Sequence, residues 1–324
     1  MSIAAEELLE PVAAELQEFE RRLDAEIASD LGPMASAMSH IVKAGGKRLR
    51  PALVILSSRL GTADPDDVYN LAMGIEFIHT ATLVHDDLID KAPTRRGIRT
   101  IHEALGPDPA VIIGDYYFAK GAYLLAEIGE PAIDSAISRA VMTICMGELL
   151  QMTSRNEYDQ SLDDYHRKIG RKTATLVSTC CYGGGLVAGL DTDAVERLRR
   201  YGHNLGMAFQ IADDVLDYVA TSAEVGKPVG ADLRQGTVTL PLMLALHDRE
   251  VGGRLRQILD KRDLNDEDYE LVVNLVRGSS AIAEAERSAQ EFARQAAAEL
   301  TGFAPSSALR TLEGVCSYVV ERRI

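Results

Sequence analysis

The sequence is poor in the features that mark several common protein classes. Its 324 residues include four cysteines, Cys145, Cys180, Cys181 and Cys316. No CxxC pair occurs, and Cys180 and Cys181 are adjacent. That excludes a zinc pattern and a disulfide framework, and it points to a reducing compartment. No apolar run approaches the ~20 residues of a membrane-spanning helix. Basic residues are outnumbered: 34 Lys and Arg against 49 Asp and Glu leave a formal charge of −15. Such a chain is ill suited to nucleic acid or an anionic membrane surface. An anionic substrate is equally awkward, unless metal ions or a local basic cluster reverse the field. The N-terminal stretch MSIAAEELLEPVAAELQEFE is acidic and reads as neither a signal nor a transit peptide. A soluble cytoplasmic protein is expected.

Strict alternation of the strand type is scarce, no fixed-length repeat is present, and no Pro-, Gly- or Ser-rich linker splits the chain. What remains is helical periodicity, in a sequence that is 46% apolar. Residues 5–29 repeat apolar residues at three- and four-residue steps. PALVILSSRL follows the Gly45-Gly46 break. Pro65 opens a helix through VYNLAMGIEFIHTATLVHDDLID, which Pro93 and Gly97 end. Pro109 opens a further helix, and Gly129-Glu130-Pro131 separates it from AIDSAISRAVMTICMGELLQM. Ser161 to Asp164 form a capping box before YHRKIGRKTATLVSTCCYGGGLVAGL. Gly183-Gly184-Gly185 fits close helix packing, and residues 192–220 form another long helix. Residues 224–241, with three glycines and two prolines, have no clear period and suit a functional loop. The expectation is an all-α single domain over 1–324: a large helical bundle around a central cavity.

Two acid sets share one spacing. Asp86, Asp87 and Asp90 in HDDLID recur in form as Asp213, Asp214 and Asp217 in ADDVLD. On a helix, the first and last acids of each set lie one turn apart on one face. Both sets end long apolar helices, where free carboxylates are costly to bury and raise each other's pKa unless neutralised. Hard oxygen clusters suit magnesium, which bridges to phosphate oxygens. Facing each other across a bundle, the sets could grip one diphosphate through several Mg²⁺ ions.

The basic counterpart is KAGGKRLRP, with Lys43, Lys47, Arg48 and Arg50 around a glycine pair. Lys47 and Arg50 share a face at a helix start, where anions are favoured. Arg95 and Arg96 follow the first acid set, and guanidinium suits bidentate phosphate contacts. Two anion sites are implied, one metal-bridged and one held directly by cations.

GGKRLRP, HDDLID with RRG, GELLQ, KTATL, FQIADDVLD and GKPVGADL resemble, in order, the signature blocks of the trans-isoprenyl diphosphate synthases, the polyprenyl synthetase family. The resemblance implies the isoprenoid synthase fold and a homodimer. It also implies head-to-tail condensation of isopentenyl diphosphate with an allylic diphosphate, with three Mg²⁺ per active site. Carried over residue by residue, it assigns metal binding or support to the six aspartates. Arg95, Lys172 and Lys227 match contacts to the allylic diphosphate, and Lys47, Arg50, His79 and Arg96 match the isopentenyl diphosphate site. Thr173 matches a position near the carbocation, and Gln210 is placed to contact the cation region or the metal shell. Gln151 in GELLQ matches a supporting position. One departure stands out. The family often has lysine after DLxxG, and this chain has Thr237, which implies weaker allylic binding rather than inactivity.

Ala81 and Thr82 lie five and four residues before Asp86, about 6–8 Å along the axis at ~1.5 Å per residue. Family enzymes with short products place an aromatic ring there. Two small residues imply an open tail passage and a product longer than farnesyl diphosphate, with Phe77 and Ile78 a turn lower able to narrow it. Geranylgeranyl or farnesyl products, or a non-catalytic subunit of a heteromeric synthase, are the alternatives. Such subunits lose one acid set, and this chain keeps both. A terpene cyclase binds one diphosphate and has no use for the paired basic blocks.

Overall fold

The computed structural model describes residues 5–30, 48–95, 97–220 and 229–321. In chain order the helices are α1 (Ala5–Leu9), α2 (Ala13–Asp30), α3 (Leu49–Ser58), α4 (Pro65–Ile89), α5 (Ile101–Leu105), α6 (Pro107–Ala126), α7 (Pro131–Thr153), α8 (Leu162–Ile169), α9 (Thr175–Val187), α10 (Thr192–Val219), α11 (Ala231–Arg234), α12 (Leu240–His247), α13 (Gly252–Leu259), α14 (Asp266–Gly278), α15 (Ala281–Glu299) and α16 (Ser307–Glu321). A two-residue hairpin, β1 (Thr94–Arg95) and β2 (Ile98–Arg99), follows α4, with Arg95 opposite Ile98. The all-α expectation holds.

Several boundaries differ from the sequence reading. The first helix is split by a 3₁₀ turn at Glu10–Val12, because Pro11 cannot donate a helical N–H. α6 begins at Pro107, one proline earlier than expected. The run from Leu162 to Val187 is not one α-helix. A π turn, Gly170–Ala174, lies between α8 and α9. The irregular segment before α12 holds a short helix, α11. The capping box at Ser161 and Asp164 forms as read.

α10 organises the interior. Its 28 residues span about 42 Å at 1.5 Å per residue. Its first half packs Leu198, Tyr201 and Leu205 into a core shared with α3, α4, α6, α9 and α16. Its second half packs Ile211, Val215 and Tyr218 into a second core shared with α12, α14 and α15. The crossings are backbone-close. A Cβ on Gly121 of α6 would sit 2.7 Å from the Gly74 carbonyl oxygen of α4, and one on Gly184 of α9 would sit 2.6 Å from the Val54 carbonyl of α3. Gly183 and Gly185 likewise face Leu71 and Leu198, as the triple glycine suggested.

Overpacking such a contact forces backbone shifts that cost about 1–3 kcal/mol. Gly121→Ala is therefore expected to destabilise the protein by about that amount, read as a lower urea midpoint. An unchanged midpoint would show that α4 and α6 separate freely.

Candidate active site

The ends of α4, α7 and α10, the π turn and the segment before α12 surround a cavity of about 160 Å³. Asp90 of the first acid set and Asp214 of the second both line it, together with Gln151, Lys172, Thr173 and Gln210. One member of each set thus faces the same space. The local structure explains how. Asp90 caps α4, its N–H donating to the Asp86 carbonyl at 2.8 Å. The π turn widens the helix by one residue just where Lys172 and Thr173 enter the cavity; such turns recur at functional sites. Gly147 of α7 admits it: a Cβ there would lie 3.1 Å from the Lys172 nitrogen.

Within each set the aspartates differ. Asp87 is buried and takes two bonds of 2.9 Å from Arg95 Nε and one of 2.8 Å from Nη2. Asp214 is buried and accepts from Tyr165 Oη at 2.6 Å and from Gln210 Nε2 at 2.8 Å. Thr173 in turn donates to Gln210 Oε1 at 2.6 Å, which fixes the amide's orientation. Asp217 accepts from the Ala231 and Asp232 backbone N–H groups at 3.1 and 3.2 Å, capping α11. Asp90 pairs with Arg155 at 2.7 Å. Asp86 and Asp213 are half-buried.

Lys172 pairs with Glu148 at 2.6 Å and stands 4.0 Å from Asp86. Burial pushes the Asp86 carboxyl up to about 6, against the pull of Lys172. Burial and the neighbouring Asp232 push Asp214 up to about 8, against its bonds from Tyr165 and Gln210. Burial disfavours the Lys172 ammonium, but Asp86 and Glu148 outweigh it and hold its pKa above the usual lysine value. Among the described residues, no three acidic, His or Cys side chains converge tightly enough to hold an ion alone.

Arg50 lies at the start of α3, and its buried Nε has no hydrogen-bond partner among the described residues. Arg48, grouped with it by sequence, is committed elsewhere. It adopts a left-handed conformation and pairs with Glu20 and, at 2.7 Å, with Glu76. His79 is half-buried on α4. Lys47, Arg96 and Lys227 lie outside the described residues. Near the tail passage, Ala81 is fully buried, and Thr82 donates to the His79 carbonyl at 2.7 Å. Phe77 stacks on Tyr117, centroids 5.6 Å apart, and Ile78 packs against Gly121. Glu148, Arg155, Tyr165, Lys168 and Asp232 were missed as site residues. Of these, Glu148 and Asp232 sat inside recognised blocks, GELLQ and GKPVGADL.

Asp90 and Asp214, one from each acid set, thus share a helix-walled cavity with Lys168 and Lys172. The family model for polyprenyl synthetase matches residues 33–276. The chain is 36% identical over 308 residues to heptaprenyl diphosphate synthase component 2 of Geobacillus stearothermophilus, covering 95% of this chain and 96% of that one. It is also 36% identical over 327 residues to the chloroplastic solanesyl-diphosphate synthase 2 of Oryza sativa subsp. japonica, covering 99% and 80%. The structure of a polyprenyl synthase from Caulobacter crescentus CB15, complexed with calcium and isoprenyl diphosphate, superposes with a TM-score of 0.93 at 34% identity, covering 100% of this chain and 99% of that one. The chain belongs to the polyprenyl synthetase family, a family of prenyltransferases.

Removing the Tyr165 hydroxyl leaves a buried carboxylate oxygen of Asp214 short of a donor. Tyr165→Phe is expected to lower stability by about 1–3 kcal/mol, seen as a shifted urea midpoint at unchanged slope. A wild-type midpoint would mean that the bond is not maintained in solution.

Proposed function

We propose that the protein is a polyprenyl diphosphate synthase that joins isopentenyl diphosphate head-to-tail to an allylic diphosphate, giving a product longer than farnesyl diphosphate. The observation that carries this is the shared cavity, which Asp90 of the first acid set and Asp214 of the second line together with Lys172. The relatives named for heptaprenyl and solanesyl products support a long chain. The whole chain acts as one catalytic domain.

Asp86, Asp90 and Asp213 would hold Mg²⁺, and Asp217 would share that task. Hard carboxylate oxygens fit this ion, and sites that rely on substrate phosphates to complete the shell suit it. Bound there, Mg²⁺ neutralises charge on the departing diphosphate. We read Asp87 and Asp214 as supports, because Arg95, Tyr165 and Gln210 already occupy their oxygens. Lys172, Arg95 and Lys227 bind the allylic diphosphate. Arg50, with its unpartnered buried Nε, seats isopentenyl diphosphate together with Lys47, His79 and Arg96. Thr173 and Gln210 present oxygens near the carbocation, and the released diphosphate takes the proton. The tail runs past Ala81 and Thr82 towards the Phe77–Tyr117 stack.

The subunits pair through α6 and α7. Ile112 (67%) and Tyr123 of α6 stand exposed, as do Met142 (61%), Met146 and Leu149 (55%), which share one face of α7 by their helical spacing. Contiguous exposed apolar faces mark partner surfaces. A cytoplasmic setting fits four free thiols. No helix among the described residues is long and apolar enough to cross a membrane.

Purified protein, isopentenyl diphosphate, allylic primers of several lengths and Mg²⁺ are expected to yield dephosphorylated products that chromatograph beyond farnesol, with none formed in a chelator. Ala81→Phe is expected to shorten them. Arrest at farnesyl diphosphate, or an unchanged length in that variant, would refute the open passage. Met146→Glu should convert the dimer to monomer in sedimentation. An unaltered mass would place the interface elsewhere, and a larger native complex with a second chain would favour a two-component enzyme.

A further inference from the structure

Lys168 lies on α8, one turn before Lys172, and its side chain reaches the same cavity. It is 6% exposed. Its ammonium donates to the Val238 carbonyl at 3.1 Å and to Gln160 Oε1 at 3.4 Å. Both acceptors are neutral, and no carboxylate pairs with it among the described residues. Its neighbour Lys172 differs, having Glu148 at 2.6 Å. Of the described side chains lining the cavity, only these two are cationic, while Asp90, Asp214 and Asp232 are acidic.

A buried ammonium held only by neutral groups is expensive. Burial pushes the Lys168 pKa below the usual lysine value, although Asp214 and Asp232 favour its charge. Two neutral acceptors also use only two of the three N–H groups an ammonium offers. A role limited to tying α8 to Val238 would need one neutral donor. An anionic ligand accounts for both the charge and the remaining donor. Thr237, next to Val238, lines the same wall with a hydroxyl alone, so it adds no positive charge there.

We infer that Lys168 is a phosphate-binding residue of this cavity, whose ammonium bonds a phosphoryl oxygen of the allylic diphosphate beside Lys172. The inference rests on the prenyl-transfer reading for the identity of the ligand, but not for the anion chemistry. Charge-assisted hydrogen bonds of this kind change affinity by roughly ten- to a hundredfold.

The test titrates the full-length protein with inorganic pyrophosphate in Mg²⁺ by calorimetry, and measures separate KM values for the two substrates. In Lys168→Met, pyrophosphate binding is expected to weaken by roughly ten- to a hundredfold. The allylic KM should rise while the isopentenyl KM stays near wild type. Lys168→Arg, and Lys168→Met combined with Thr237→Lys, should each regain most of the affinity, because each returns a cation to that wall. Near-wild-type pyrophosphate affinity in Lys168→Met overturns the inference. So does a loss that neither cation restores, which would mark a purely structural tie. If pyrophosphate binding depends on Lys168 yet no primer is elongated, the anion site stands and the prenyl-transfer reading falls.

Discussion

The site depends on keeping carboxylates charged and close on helices whose other faces are buried. Burial works against that charge, pushing the Asp86 carboxyl up to about 6 and Asp214 up to about 8. The chain answers with specific partners. Arg95 grips Asp87, Arg155 holds Asp90, Lys172 stands between Glu148 and Asp86, and Tyr165 and Gln210 fix Asp214. Asp87 and Asp214 are the two buried members, each engaged by side-chain donors of the protein.

Glycine provides the scaffold for that arrangement. Close crossings at Gly74–Gly121 and Gly184 lock α4, α6, α9 and α3 together without intervening side chains. Gly206 brings α10 within 2.5 Å, at its notional Cβ, of the Ala174 Cα at the end of the π turn. The second acid set and the residues Lys172 and Thr173 are thereby mounted on one rigid contact. Rigid mounting matters where reacting groups must be held in place before the substrate arrives.

Much of this was legible in the sequence, because its chemistry is local. Two acid sets of one spacing, a lysine and threonine in KTATL, and a glutamine one turn before Asp214 are all short-range patterns. Their helical setting follows from the apolar period around them. The partners were not legible. Tyr165 meets Asp214 across 49 residues and Arg155 meets Asp90 across 65, and nothing in their own neighbourhoods signals it. Arg48 misled for the opposite reason. Its company in GGKRLRP suggested an anion, yet Glu20 and Glu76 neutralise it through tertiary packing. The π turn was invisible because its residues are as helical in composition as those on either side. Lys47, Arg96 and Lys227 fall outside the described residues.

Asp217 has two kinds of neighbour. Its oxygens receive the backbone of Ala231 and Asp232, so the same carboxylate that ends the second acid set also begins the short helix over the cavity. An ion attracted to Asp217 must share or displace those amides. Ion occupancy and the placement of residues 230–234 are then two readings of one equilibrium, and by linkage each shifts the other by the same free energy. An ion bound at Asp217 would be reported by the cavity's roof.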